Sequence, residues 1–533
     1  MRTQSEILAE IDLISSKKHF LNVLLLLTHK NLNFFADELM TKNFREVLNE
    51  NEISFLYGLW LKNKNKNIGI ITKIEEVGDK VHNLMNELHL SFISSLNTTS
   101  NLSFYDSSVK NSHAIKETIF YAGSGAYDYQ YCDFLENKYK YDEKWIRTKK
   151  IGRLKDFVNL FNYIKSIVNY KLNNKKFTNI NEVYTIDIDN YIFKKNPSFS
   201  QILDLFSFEM TDVLNQNFNN IGDLNEFKFR PVLKTGKKYF IPIPYLLAEA
   251  FYDSPFYWML EDDKYKSIAL KNRGNVAEEI VKQILIRKID DSNIFKNVLI
   301  KVNKNKTLSD IDICIKQGDK MLVFQVKSKR LNQLSKKGNI DQFHKDFEHA
   351  VVDAFEQAKI AENAILSNQY KMFEKDTGKI IETNNIKEVY SACVVLDNYA
   401  SITTHTRMFY YEAEHELPIA MSIFDLDVIV NYISDFEKLF DYIKQRTKNS
   451  KYFIADNELT FFSNYLKTGL KRNIEYDVTA LDTDFAQYFD GDFYLPLMQK
   501  YQKKANEFTH GIGRNDYCFC GSGIKFKKCC INE

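Results

Sequence analysis

The segment Leu308–Arg330, LSDIDICIKQGDKMLVFQVKSKR, restricts what this chain can fold into more than any other stretch. Two apolar, β-branched runs, Ile313-Cys314-Ile315 and Met321-Leu322-Val323-Phe324-Gln325-Val326-Lys327, flank a block of turn formers, Lys316-Gln317-Gly318-Asp319-Lys320. That pattern predicts two strands joined by a tight connection. Residues two apart in a strand share a face. Gln325 and Lys327 therefore project together, as do Asp310 and Asp312 from the strand before. A carboxylate, an amide oxygen and an ammonium converging at neighbouring strand ends are the groups needed to hold a hard divalent cation and activate a water.

The flanking sequence extends the pattern. From Arg273 onward, Val276, Ala277, Ile280, Val281 and Ile284 mark the apolar face of a helix, with Glu278 at its border and Glu279 further round. NIFKNVLIKVN follows as a strand, and DFEHAVVDAFEQAKIAENAIL and VYSACVVLDNY read as a later helix and a buried strand. An acid on a helix, then Asp312 on one strand, then Gln325-Val326-Lys327 on the next, resembles the PD-(D/E)xK nuclease superfamily. The fit is closest to its Mrr-like branch, in which Gln stands for the second acid. The resemblance runs from about Phe229 to Ala364. It implies a mixed α/β, restriction-endonuclease-like core with Glu278, Asp312, Gln325 and Lys327 as its catalytic set. Asp312, Gln325 and Glu278 would hold Mg²⁺ or Mn²⁺, and Lys327 would serve the attacking water. The family position, four residues after Gly274, selects Glu278, with Glu279 the alternative. The acid directly before the apolar strand residues is Asp312, with Asp310 a helper. Gln357 recurs in relatives of this type, which implies a reach to the site, with packing at the core edge the alternative. The implied substrate is nucleic acid, DNA by family analogy, and the implied setting is prokaryotic defence.

Between Lys327 and Lys345 six basic residues meet one acid, Asp341. Lys329, Arg330, Lys336 and Lys337 are the expected phosphate contacts of such a site. The formal net charge of the whole chain is only +2, so any grip on a polyanion must be local in this way.

A second constellation closes the chain. Cys518, Cys520, Cys529 and Cys530, four of the seven cysteines, fall within thirteen residues. Without a secretion signal such clustering favours a metal over disulfides. Two close pairs across a Gly-containing turn wrap one tetrahedral Zn²⁺, and a closed four-thiolate shell makes the site structural. The run GRNDYCFCGSGIKFKKCC resembles the SEC-C motif found at the end of the SecA translocase and on unrelated proteins. Cys530 stands where that motif often has His. Lys525, Lys527, Lys528 and Arg514 are the expected offsets to the net −2 of the metal site. A module this small has no core of its own, and metal binding must supply roughly 10 kcal/mol or more. Its compact basic surface suits a protein partner or a nucleic acid. Cys132, Cys314 and Cys393 are isolated and read as buried, neutral thiols.

At 533 residues the chain is too long for one core, and two to four domains are expected. Scarce Gly and Pro, 18 and 7, favour long helices with few tight turns. The expected fold class is a multidomain α+β protein. Residues 1–230 form a mainly helical region with one strand at VYTIDID and a Tyr-rich segment near 120–145. Residues 231–400 form the nuclease-like core, entered by an extended ribbon at FRPVLKTGKKYFIPIPYLLAEAFY. Residues 401–505 are a helical extension and 511–533 the zinc knuckle. NTTSNLS is a connector, and Gly123-Ser124-Gly125 lacks the spacing of a phosphate-binding loop. No apolar run is long enough to span a bilayer, so a soluble, cytoplasmic protein with no membrane partner is expected. Beside a metal-dependent nuclease stand two other expectations, a catalytically inactive nucleic-acid binder and a zinc-tailed protein adaptor.

Overall fold

The computed structural model describes residues 2–32, 47–97, 112–121, 125–149, 152–174, 177, 179–410, 416–472, 478–481 and 487–532. The expectations for Gly123, Ser124 and most of NTTSNLS lie outside these residues. Among the described residues the chain is a mixed α/β protein with many helices, three sheets and a C-terminal cysteine cluster. It divides into two compact units. One comprises Met1–Ser91, Tyr127–Ala269 and Phe489–Glu533; the other comprises Phe92–Ala126 and Leu270–Tyr488.

The first unit is built mainly of helices. Glu50–Asn63 starts at a capping box, in which the Asn49 side chain accepts from the Glu52 N–H at 3.0 Å and the Asn49 N–H donates back to the Glu52 carboxylate at 2.9 Å. The helix Leu154–Asn173 buries Phe157, Leu160, Phe161, Ile164 and Ile167 along one side, the spacing that sets an amphipathic helix against a core. A four-stranded sheet joins them, with strands β1 (Thr185–Asp187), β2 (Ser207–Glu209), β3 (Val232–Thr235) and β4 (Lys238–Phe240) in the order β1-β4-β3-β2. β1 is the strand expected at VYTIDID. The ribbon after Phe229 is the β3–β4 hairpin, turning at Gly236 with φ +59°. It ends sooner than its sequence suggests, because Pro244 takes the first position of the helix Pro244–Leu260. Residues 231–269, grouped by sequence with the nuclease-like segment, lie in this first unit.

In the second unit a seven-stranded sheet carries the hairpin that the sequence singled out. Its strands are β5 (Ile294–Asn303), β6 (Lys306–Gln317), β7 (Lys320–Lys327), β8 (Lys371–Glu374), β9 (Ile380–Ile381), β10 (Glu388–Val395) and β11 (Ala420–Ser422). The order is β11-β10-β7-β6-β5-β8-β9. β5, β6 and β7 form an antiparallel meander, and Gly318, at φ +62°, opens the tight turn between paired Gln317 and Lys320. β7 then runs parallel to β10, with Gln325 opposite Cys393 and Lys327 opposite Val395. A parallel pair needs a long crossover, and helices spanning Ile340–Ser367 supply it. Five residues in the middle of that run, Glu348–Val352, are wound as a π-helix. Ala358, Ala361, Ala364 and Ile365 pack with Val298, Ile300, Met321 and Val323 in one buried cluster. Phe343, Phe347, Ala350 and Ala354 pack with Cys393, Val395 and Ala420 in another. Small residues on the helix face let it lie close over the sheet and bring Gln357 to the ends of β6 and β7.

Candidate functional site

Three of the four residues chosen from the sequence, Asp312, Gln325 and Lys327, lie at the point where β6 and β7 stop pairing. The last ladder pair toward this end is Ile313 with Phe324. Beyond it the Val326 N–H donates to Asp312 Oδ2 at 2.7 Å, so a side chain takes the place of a ladder partner. Asp312 is held with one oxygen bonded to the backbone. Burial raises its pKa above the ordinary carboxylate value, and nearby Asp310 adds to this, while the Val326 N–H and the Lys327 ammonium oppose it.

Gln325 is fully buried. Its Nε2 donates to the Asp310 carbonyl at 2.9 Å, and its Oε1 has no hydrogen-bond partner. A buried amide oxygen left unpaired is uncommon and calls for an explanation. Lys327 donates from Nζ to Gln357 Oε1 at 3.2 Å, and Gln357 Nε2 donates to Asp310 Oδ1 at 2.6 Å. Gln357 thus ties the ammonium of β7 to the acid of β6. Asp310 itself is exposed and turned to this bridge rather than to the Val326 N–H.

From the helix Lys266–Leu285, Glu278 lies 3.8 Å and Glu279 3.9 Å from the ammonium of Lys296 on β5. The Glu278 carboxyl is pushed up to about 7. Burial is the main cause and the negative charge of Asp312 the next, with Lys296 acting in the opposite direction. The like charges of Glu278 and Asp312 repel, so each disfavours ionisation of the other. Sequence reasoning did not foresee Lys296.

The basic segment after β7 is anchored on two buried carboxylates. Asp397 receives Arg273 in a short contact and Arg330 Nε at 2.7 Å, and Arg273 also donates to the Ser328 carbonyl at 2.9 Å. Asp346 accepts the Asn332 N–H at 2.6 Å and the Ser335 hydroxyl at 2.7 Å, with Lys329 at 3.8 Å. Arg330 is therefore committed to Asp397. Lys329 and Lys337 are exposed and Lys336 is half-buried.

The second constellation lies in the first unit. The Sγ atoms of Cys518, Cys520, Cys529 and Cys530 all fall within 4.8 Å of one another, with Cys520–Cys529 at 3.5 Å and Cys529–Cys530 at 3.6 Å. Zinc–sulfur bonds of 2.3 Å at tetrahedral angles place sulfurs about 3.8 Å apart, so the spacing fits one ion. Cys518, Cys520 and Cys530 are buried and Cys529 is half-buried. It is the one metal-competent cluster of three or more His, Cys, Asp or Glu side chains among the described residues.

The knuckle is packed into its unit by contacts that no local pattern announces. Phe519 is fully buried, edge-on to Tyr170 at 5.4 Å, and its carbonyl accepts the Tyr163 hydroxyl at 2.7 Å. The Asp187 N–H donates to the Gly521 carbonyl at 2.8 Å. Gly521, at φ +71°, sits so close to β1 that a Cβ would lie 2.9 Å from Ile186. Cys132, Cys314 and Cys393 are buried, as isolated thiols should be.

Four sulfurs this close together form a cluster that could hold one metal ion. Residues 514–532 match the family described as the SEC-C motif, so the chain carries that motif at its C-terminal end. No curated protein and no solved structure matches the chain. No helix among the described residues is long and apolar enough to cross a membrane.

Proposed function

We propose that the second unit is a divalent-metal-dependent nuclease that hydrolyses nucleic-acid phosphodiesters, with the PD-(D/E)xK arrangement of its site and DNA as the substrate that resemblance implies. The observation that carries this reading is the fully buried Gln325 Oε1, left without a partner beside an Asp312 whose carboxylate is already braced by the Val326 N–H. Burying such an oxygen unpaired costs about 1–3 kcal/mol, a cost that a ligand bound at the oxygen would remove. Its neighbours are hard oxygen donors, the chemistry that suits Mg²⁺ or Mn²⁺. Asp312, Gln325 and Glu278 would hold the ion, which when bound supplies Lewis acidity toward a phosphoryl oxygen and a lower pKa for water.

The protein's own groups supply the rest. Lys327, aimed by Gln357, holds an attacking water and offsets the negative charge that builds on the phosphoryl oxygens. Asp312 keeps its orientation through the Val326 N–H. Gln325 contributes an oxygen without a charge, which leaves the site less negative than an all-carboxylate one and its metal affinity lower. Lys329, Lys336 and Lys337 offer the backbone contacts.

The test is cleavage of plasmid, linear duplex and single-stranded DNA with and without Mg²⁺ or Mn²⁺, comparing the wild type with Lys327→Ala. Metal-dependent cleavage that the variant loses, while its thermal unfolding is unchanged, supports the reading. Undiminished cleavage by Lys327→Ala overturns it. Binding with a steep salt dependence and no cleavage would instead leave a nucleic-acid binder.

A further inference from the structure

We propose that Lys171, far from the SEC-C motif in sequence, is the resident counter-charge of its zinc tetrathiolate, and that metal loading thereby locks the helix end, the turn and strand β1 of the first unit together. Lys171 sits near the C-terminal end of the helix Leu154–Asn173 and is 5% exposed. Its ammonium donates to the carbonyls of Glu182 and Thr185, both at 2.9 Å. Those acceptors are neutral. Among the described residues no carboxylate lies within ion-pair distance of it. A buried cation without an anion is strongly unfavourable, and proteins rarely keep one.

Burial lowers the pKa of this ammonium, and the nearby Cys520, Cys529, Cys530 and Cys518 oppose that by favouring its charged form. Its chain neighbour Tyr170 packs on Phe519, between Cys518 and Cys520, at 5.4 Å. Four thiolates on Zn²⁺ carry a net −2, which likewise needs an offset in a buried site. The basic residues inside the motif are poorly placed for this. Arg514, Lys525 and Lys528 are exposed, and Lys527 is half-buried, so water screens their charge. An ammonium has three N–H donors, of which Lys171 uses two on carbonyls. The third remains for the metal site, whose net negative charge would favour the protonated lysine. Each buried charge lacks a counterpart in its own segment, and the fold brings the two together.

The same lysine is also a mechanical tie. The carbonyls it grips belong to the turn Ile180–Glu182 and to the first residue of β1. Two residues further along β1, Asp187 bonds to Gly521, inside the loop that separates the two cysteine pairs. Stripping the metal leaves the ammonium buried with carbonyls alone. The turn and β1 should then open to hydrate it.

The test uses the full-length, zinc-loaded protein. Zinc transfer to a chromophoric chelator is timed for the wild type, Lys171→Met and Lys171→Arg, and thermal unfolding is followed with and without prior zinc removal. Lys171→Met should release zinc about tenfold faster, the loss expected of one charge-assisted hydrogen bond, while Lys171→Arg stays close to wild type. The Met variant should be less stable than wild type when loaded and no less stable when stripped, because the stripped state then loses an uncompensated cation. A purely structural lysine would lower both states alike, and that result, or equal release rates, overturns the proposal. Hydrogen exchange on the wild type gives a measurement that needs no variant. Amides of residues 180–187 should lose protection on zinc removal, and unchanged protection there overturns the tie.

Discussion

Replacing Gln325 by Met separates a residue kept for a ligand from one kept for packing. Methionine has the same unbranched reach and no acceptor. In the wild type the Gln325 Oε1 is fully buried and unpaired, while Nε2 makes one bond of 2.9 Å to the Asp310 carbonyl. Removing the unpaired acceptor returns about 1–3 kcal/mol, and losing one neutral hydrogen bond costs about 1 kcal/mol. The Asp310 carbonyl is not stranded, because Gln357 Nε2 still reaches it at 3.3 Å. The metal-free variant should therefore be as stable as the wild type or up to about 2 kcal/mol more stable. For a unit of this size that is a rise of up to several degrees in Tm, at about 2–4 °C per kcal/mol. Mn²⁺ should raise the wild-type Tm through binding to the folded state and leave the variant's Tm unchanged. The assay is thermal unfolding across a Mn²⁺ titration with the zinc site kept loaded; thiolate sulfur is too soft a donor to compete for Mn²⁺. A variant destabilised by about 2 kcal/mol or more, with an unchanged Mn²⁺ response, would refute the reasoning and make Gln325 an ordinary core amide.

The Glu278 carboxyl, pushed up to about 7 from an ordinary value of 4.5, gives a stability contribution that is complete below about 4.5 and lost as pH rises through 7. Metal-free protein should thus lose thermal stability between pH 5 and 8 by more than Glu278→Gln does, and Mn²⁺ affinity should climb over the same window as the proton leaves. Parallel unfolding curves for the two proteins would reject this assignment. Phe519 is fully buried against Tyr170, so Phe519→Ala should cost the first unit about 3–5 kcal/mol in denaturant unfolding and hasten zinc loss. The Mn²⁺ response of the second unit should be unaffected, and a cost under about 1 kcal/mol would mean that the knuckle is not seated as described.

What could be read from the sequence follows from how locally each feature is encoded. Strands β5, β6, β7 and β10 are long apolar runs punctuated by turn residues, and Gly318 marks the hairpin. Asp312, Gln325 and Lys327 fall within one such hairpin, so their convergence needs only strand periodicity. The four cysteines lie close enough in the chain to declare a metal by spacing alone. By contrast, β2 is three residues, too short for a period of two to establish itself, and nothing local shows that it, the strand at VYTIDID and the ribbon after Phe229 pair into one sheet. The division between the units is also silent, because the helix Lys266–Leu285 runs through it without a Gly or Pro break at Ala269. Gln357 reaches Asp310 and Lys327 only because the Ala-rich helix lies close to the sheet and because five residues before it wind as a π-helix, which no local pattern dictates. Asp397 draws together Arg273 and Arg330 from segments more than a hundred and about seventy residues apart in pairing order, so the sequence showed Arg330 as a basic loop residue and hid its commitment. Most distant of all, Tyr163 meets Phe519 across 356 residues. The charges within the motif were the only ones visible beside its cysteines. The buried one, Lys171, had to be brought there by the fold, and a cation so placed acts on a metal site more strongly than solvated lysines next to it in the chain.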